Sequence, residues 1–225
     1  MKGIELRDAR VRHGPLEALH GVTLAAPATA LTVLLGRNGS GRTTALRALA
    51  GTLPLSFGAV LHDGRDITRS PAHERAARGL CFVPDRQAVF SSLTVAQNLR
   101  LSRADGGFGP ALDAYPELRP LLPRRAGTLS GGEQRMLAVS RALLARASVI
   151  LVDEPTQGMS PPVAARTHAL LAGLAGPDTC VVVAEQRLPP AVRERASRTA
   201  VVVHELRRGA VVFSGEAAEL RPAPE

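Results

Sequence analysis

Apolar positions along this chain follow two periods. Leu31 to Leu35, Val149 to Val152, Val181 to Ala184 and Thr199 to Val203 are short runs with hardly a polar residue, the pattern of parallel strands buried on both faces. Segments rich in Ala, Leu and Arg lie between them at helical spacing, and such alternation predicts an α/β fold around a mainly parallel sheet. Ile4 to Val11, Val22 to Ala25 and Ala59 to His62 read instead as strands of a small antiparallel sheet. His204 to Phe213 turns at Gly209 and reads as a hairpin.

From Phe90 to Ala147 strand signals vanish, while Val95 to Ser102, Ala111 to Leu122 and Glu133 to Ala145 carry helical spacing. We therefore expect residues 90–147 to form a helical insertion, with 1–89 and 148–225 building one core domain. A chain of 225 residues is long enough to bury such a core as a single domain. Gly106-Gly107-Phe108-Gly109-Pro110 reads as a flexible surface turn, and Arg221 to Glu225 as a frayed tail. No internal repeat or heptad run is visible.

Composition narrows the function classes. The formal net charge is +8, but the arginines are spread along the chain among acids, and Lys2 is the only lysine. With no tryptophan and Tyr115 alone of its type, the chain has no aromatic platform for stacking bases, so no nucleic-acid partner is expected. Cys81 and Cys180 sit in apolar runs, where cysteine acts as a small buried hydrophobe, and a reduced cytoplasmic chain is expected. No apolar run approaches the roughly 18 residues of a membrane span, so a membrane role would come through a partner.

Three motifs carry chemistry. Gly36-Arg37-Asn38-Gly39-Ser40-Gly41-Arg42-Thr43-Thr44 follows an apolar strand and opens a helix, the setting that separates a phosphate loop from a mere glycine-rich turn. Glycines let backbone N–H groups converge on phosphates, the helix N-terminus adds its dipole, and the Thr43 hydroxyl is placed to ligate Mg²⁺. Ser130-Gly131-Gly132-Glu133-Gln134 forms a capping box at the start of a second helix. Asp153-Glu154 ends an apolar strand, and such a pair followed by proline also makes an ordinary turn. Order decides between the readings.

In that order the motifs resemble the ATPase subunit of an ATP-binding cassette transporter across nearly the whole chain. The resemblance implies a P-loop NTPase core of RecA-like type with a small antiparallel β subdomain and an inserted α-helical subdomain. It implies ATP and Mg²⁺, with Asp153 on the metal and Glu154 as general base. It also implies that Ser130 to Gln134 meet the γ-phosphate held by a second ATPase subunit, in a homo- or heterodimer on transmembrane permease subunits at the cytoplasmic face of the membrane. His13 stands where an aromatic stacks on adenine, with a surface or cap residue as its other reading. Asp85 stands in place of a glutamine linking the γ-phosphate to the permease, and Gln186 in place of a switch histidine.

Val83-Pro84-Asp85, Phe90 to Leu99 and Glu185-Gln186 are similar to one of the two ATPases of branched-chain amino-acid importers, whose relatives also serve urea or amides. Arg42 departs from the pattern, which asks for lysine. Guanidinium keeps the charge but changes its shape and reach. A second reading is therefore a subunit with little hydrolysis of its own that completes a partner's site. A third, a soluble cassette of DNA repair or translation, needs a long coiled-coil insertion or a second cassette, and 225 residues leave no room for either.

Overall fold

The computed structural model describes residues 2–102, 107–195 and 200–220. Gly106 of the expected surface turn, Thr199 at the start of an expected strand, and the tail from Arg221 lie outside the described residues. The chain opens with β1 (Gly3–His13), β2 (Leu16–Pro27), β3 (Leu31–Leu35) and α1 (Arg42–Ala50). Then come β4 (Phe57–His62), β5 (Arg65–Asp66), α2 (Ala72–Ala77) and β6 (Leu80–Val83). The helical stretch holds α3 (Val95–Arg100), α4 (Gly109–Ala114) and α5 (Gly131–Leu144). It is followed by β7 (Val149–Asp153), α6 (Pro161–Leu174), β8 (Cys180–Glu185), α7 (Pro190–Arg195), β9 (Val201–Arg207) and β10 (Ala210–Glu216).

A six-stranded sheet runs in the order β10-β9-β3-β8-β7-β6 and is parallel except for the β9–β10 hairpin. It forms the middle layer, because its strands alternate between two cores. Leu31, Val33 and Leu35 face one core with α3, α4 and α5, while Leu34 faces the other with α1 and the four-stranded sheet β2-β1-β4-β5. Val181 and Val183 of β8 repeat the first choice, and Cys180, Val182 and Ala184 the second. Strands loaded on both faces in this way read as unbroken apolar runs.

Both cysteines are free. Burial pushes the Cys180 thiol up to about 12, and its Sγ meets the Ala26 carbonyl. The half-buried Cys81 thiol is also raised by burial.

Three local expectations change. Leu80–Val83, read only as an apolar run around Cys81, is a strand: Gly79 at φ 90° turns the chain out of α2, and Leu80 to Val83 register against Val149 to Val152. The divided reading of a buried strand followed by a separate hairpin gives way to continuous β9, paired parallel with β3 along one edge and antiparallel with β10 along the other. Its turn does fall at Arg208-Gly209, both at positive φ, as a tight hairpin requires. The helix expected over Ala111 to Leu122 breaks after Ala114, because Pro116 drives Tyr115 to an extended conformation; a 3-10 segment, Pro116–Leu121, follows.

Between β6 and β7 the described residues contain helices and no sheet strand. The Tyr115 hydroxyl bonds the Thr167 hydroxyl at 2.8 Å and ties this stretch to α6. Among the described residues no helix is long and apolar enough to cross a membrane. The parallel strands β3, β6, β7 and β8 share a carboxyl edge, and Gly36, Pro84, Glu154 and Gln186 follow directly from them. Ligands of parallel sheets bind at such edges.

Candidate functional site

The loop from β3 into α1 forms the floor of a cleft of about 430 Å³ lined by Asn38 to Thr44, with Ala18, Asp85, Arg86, Glu154 and Gln157 around it. The β9–β10 hairpin braces that loop. The Gly209 N–H donates to the Ser40 carbonyl at 2.9 Å, and the His20 N–H to the Gly209 carbonyl at 2.8 Å. A Cβ on Gly36 would lie 2.4 Å from the Leu206 carbonyl, and one on Gly41 2.9 Å from Leu19. Both glycines are thus demanded by the chain's own packing.

Helix α1 starts without a side-chain cap. Its first hydrogen bond runs from the Ala45 N–H to the Gly41 carbonyl at 2.9 Å, and the amides before it point out of the helix toward the cleft. Unmet donors and the positive end of the helix dipole together attract an anion.

Opposite them, Asp153 is 1 % exposed, and neither carboxylate oxygen completes a hydrogen bond of good geometry. Burial raises its pKa above the usual carboxylate value. The Thr43 hydroxyl acts the other way, Asp85 and Glu154 add to the rise, and Arg42 opposes it. Arg42 is 4 % exposed, with its Nη2 donating to Glu154 Oε1 at 3.2 Å and its Nη1 unpartnered. The Ser40 hydroxyl is unpartnered too. Arg42 and Ser40 line the cleft and Asp153 lies directly behind its wall residue Glu154, under the influence of Thr43 and Arg42; buried polar atoms of both signs left without partners in this way fit a phosphate accompanied by a divalent cation. Among the described residues no cluster of His, Cys, Asp and Glu could hold a metal alone, so such a cation would share the substrate's oxygens.

Glu154 has φ 47°, outside the usual range for a residue with a side chain. Its Oε1 also accepts from Gln186 Nε2 at 3.4 Å. Asp85 faces the cleft with its Oδ1 3.6 Å from Arg47 Nη2 of α1. The edge thus gathers Gly36 to Thr44, Asp85, Asp153, Glu154 and Gln186. His13 is different: it is exposed where β1 meets β2, and it is not among the residues lining this cleft.

Ser130 to Gln134 also stand apart, at the N-terminus of α5. Ser130 Oγ accepts from the Glu133 N–H at 3.3 Å, and a Glu133 carboxylate oxygen from the Ser130 N–H at 2.7 Å, completing the capping box. Gln134 donates to the Leu129 carbonyl. A Cβ on Gly132 would lie 2.5 Å from the Gly158 carbonyl, whereas one on Gly131 would meet nothing within 4 Å.

Sequence reasoning missed Ala18, Arg86 and Gln157 in the cleft wall, and Arg135 behind it. Ala18 carries no chemical signal. Arg135 does carry one, as a charge beginning the apolar run Met136-Leu137-Ala138-Val139.

A family model described as ABC transporter matches residues 19–157. The chain is 38% identical over 165 residues to a probable branched-chain amino acid transport ATP-binding protein LivF of Archaeoglobus fulgidus, across 69% of this chain and 70% of that protein. It is 30% identical over 224 residues to the high-affinity branched-chain amino acid transport ATP-binding protein BraG of Pseudomonas aeruginosa, across 95% and 92% of the two chains. Its structure is similar to the ADP conformation of an ATP-binding cassette of an ABC transporter, with TM-score 0.80 and 22% identity over 97% of this chain and 92% of that one. A dimeric cassette in a post-hydrolysis state bound to ADP and Pi gives TM-score 0.79 and 21% identity, over 95% and 98%. At these identities the solved structures speak to the fold.

Proposed function

Since this chain belongs to the ATP-binding subunits of ABC transporters, whose ATP hydrolysis is coupled to transport, we propose that it drives import of a branched-chain amino acid or a related small amide. It would do so as one of two cassettes bound to transmembrane permease subunits at the cytoplasmic face of the membrane. The named functions of the LivF and BraG relatives support the solute class. One observation carries the nucleotide chemistry. The carboxylate of Asp153, the Nη1 of Arg42 and the hydroxyl of Ser40 are all buried without partners, and helix α1 starts without a side-chain cap.

In this reading the amides of Gly39 to Thr44 hold the phosphates, and Thr43 and Asp153 hold Mg²⁺. When bound, the ion neutralises phosphate charge. Glu154 accepts the proton of the attacking water. In the free chain its Oε1 is engaged by Arg42 and Gln186, so the base becomes available as Arg42 turns toward the terminal phosphate. That exchange makes Arg42 a brake as well as a ligand. The same pair supports the second reading, a subunit of low intrinsic turnover that lends its Ser130 turn to a partner's nucleotide. The open space around Gly131 supports an acceptor from outside the chain.

Mg-ATP at about 100 times Kd should stabilise the fold by about 2.7 kcal/mol, read as a thermal shift. Glu154→Gln should keep that shift and lose turnover. Absence of any shift in folded protein would reject the site, and unchanged turnover in the variant would remove Glu154 from the chemistry. Uptake of labelled leucine into proteoliposomes holding the full transporter tests the solute. Hydrolysis without leucine uptake would send the assignment elsewhere.

A further inference from the structure

One turn into α5 lies a second buried cation beside the cleft, Arg135, 5 % exposed, whose two terminal nitrogens are engaged and whose Nε is not. It reaches away from the Ser130 turn and back into the sheet. Its Nη1 donates to the Pro84 carbonyl and its Nη2 to the Asp153 carbonyl. Those two carbonyls belong to neighbouring strands. The parallel ladder of β6 and β7 pairs Leu80 with Val149 through Val83 with Val152, so Pro84 and Asp153 are the next residues on each side. At this point the β6–β7 ladder ends, while Asp153 keeps its register with Ala184 of β8, and one planar fork donates to both strand ends in place of the lost pairing between them.

The residues immediately following are Asp85 and Glu154, the carboxylates lining the cleft. Arg135 also lies in the field of Asp153, Asp85, Glu185 and Glu154, which offsets the lowering of its pKa by burial. A second contact joins the same two places, because Gly132 at the start of α5 packs on the backbone of Gly158, four residues past Glu154. Arg141, further along α5, holds the Ala88 carbonyl at 3.0 Å and lies over the Phe90 ring, 4.8 Å from its centroid, so the far end of the Asp85 loop has its own anchor.

We propose that Arg135 is a positioning residue that ties the helix bearing Ser130 to the strand ends bearing Asp85 and Glu154, and so holds the base at the hydrolytic edge of this chain's own nucleotide site in place. It rests on the reading above of Glu154 as base. Nucleotide affinity arises elsewhere, from the β3–α1 loop. Removing the fork therefore misplaces the base without emptying the site, and a displacement of about 1 Å there costs on the order of 10²-fold in rate.

The test compares wild type with Arg135→Met, which removes all donors, and Arg135→Lys, which keeps the charge and loses the fork. In Arg135→Met, kcat for Mg-ATP should fall by about 10- to 100-fold while the ATP dissociation constant stays within about threefold. Arg135→Lys should fall between the two, since one ammonium cannot span both carbonyls in the plane a guanidinium sets. Amide hydrogen exchange gives a readout that needs no turnover. The amides of Asp85, Arg86, Asp153 and Glu154 should exchange at least about tenfold faster in Arg135→Met, with α1 unchanged. Wild-type exchange at both strand ends, or a loss expressed in affinity with kcat retained, would overturn the proposal. Should Arg135→Met not fold, Arg135→Lys and Arg135→Gln carry the same comparison. A wild-type protein that neither binds nor hydrolyses ATP defeats the functional reading instead, and leaves the exchange result to judge Arg135 by itself.

Discussion

The two helix starts that carry this chain's motifs are built on opposite plans. At α1 the cap is Gly41, with no side-chain bond, and the surrounding polar atoms of Ser40, Arg42 and Asp153 are left unmet. At α5 the cap is Ser130, reciprocally bonded to Glu133, and the turn satisfies itself. Glycines do not divide the same way: Gly36 and Gly41 at one start and Gly132 at the other are required by their own neighbours, while Gly39 and Gly131 face open space. One start leaves buried polar atoms without partners; the other satisfies itself, with open space at Gly131 where the proposed function places a partner's nucleotide.

If that division is right, substitutions at the two starts should fail differently. The largest effect is expected for Ser130→Arg, which fills the open face. Turnover by the assembled transporter should fall on the order of 10³-fold, about 4 kcal/mol in barrier, while the chain still binds Mg-ATP. Its fold should lose no more than about 1 kcal/mol from the missing cap. Equal loss of ATP binding, measured by titration, would erase the distinction.

Next comes a pair of neighbours. Gly132→Ala sets a Cβ against the Gly158 backbone at 2.5 Å and should destabilise by about 1–3 kcal/mol in denaturant melts. Gly131→Ala should stay within about 0.5 kcal/mol of wild type, yet depress turnover in the dimer. Arg42→Lys is expected to raise hydrolysis by the isolated chain about tenfold, since an ammonium leaves Glu154 more readily and reaches the phosphates as a point charge. No gain, with wild-type turnover already at about 1 per second or more, would make Arg42 a tolerated substitute.

The smallest effect lies away from both starts. His204 donates from Nε2 to the Ala25 carbonyl and accepts at Nδ1 from Ser214, and burial lowers its pKa below the ordinary 6.5. The unfolded chain therefore takes up a proton before the folded one does. Its contribution is present above about pH 6.5 and is lost as pH falls toward the lower folded value, with a slope of at most about 1.4 kcal/mol per pH unit. His204→Gln should flatten that slope in melts between about pH 5 and 7.

Much of this was legible in the sequence. The doubly buried strands β3, β7 and β8 carry, apart from Thr32, a polar residue only at their carboxyl ends, so little confuses the period, and the phosphate loop, the capping box and Asp153-Glu154 each have a fixed chemical spelling. Leu80–Val83 is not legible as a strand, because four residues flanked by helix-forming alanines and arginines give no period to count. The helical spacing over Ala111 to Leu122 runs through Pro116, whose missing N–H ends the helix without disturbing the apolar period. In the cleft, Ala18 could not be read at all, since what matters there is its backbone path. Arg135 was visible as a charge in an apolar run, but only the register of β6 on β7 shows what it grips.

One feature of the core has a practical side. Cys180 is sealed beneath the Ala26 carbonyl with its thiol at about 12, and burial also raises Cys81. At neutral pH neither offers an appreciable thiolate, which is the reactive form. Both native thiols should therefore react with maleimides more slowly than an exposed cysteine, fully buried Cys180 the more so. A cysteine introduced on the exposed side of α5 should take a spin label or a fluorophore first, and the separation of two such labels across an assembled transporter could be followed through the ATP cycle.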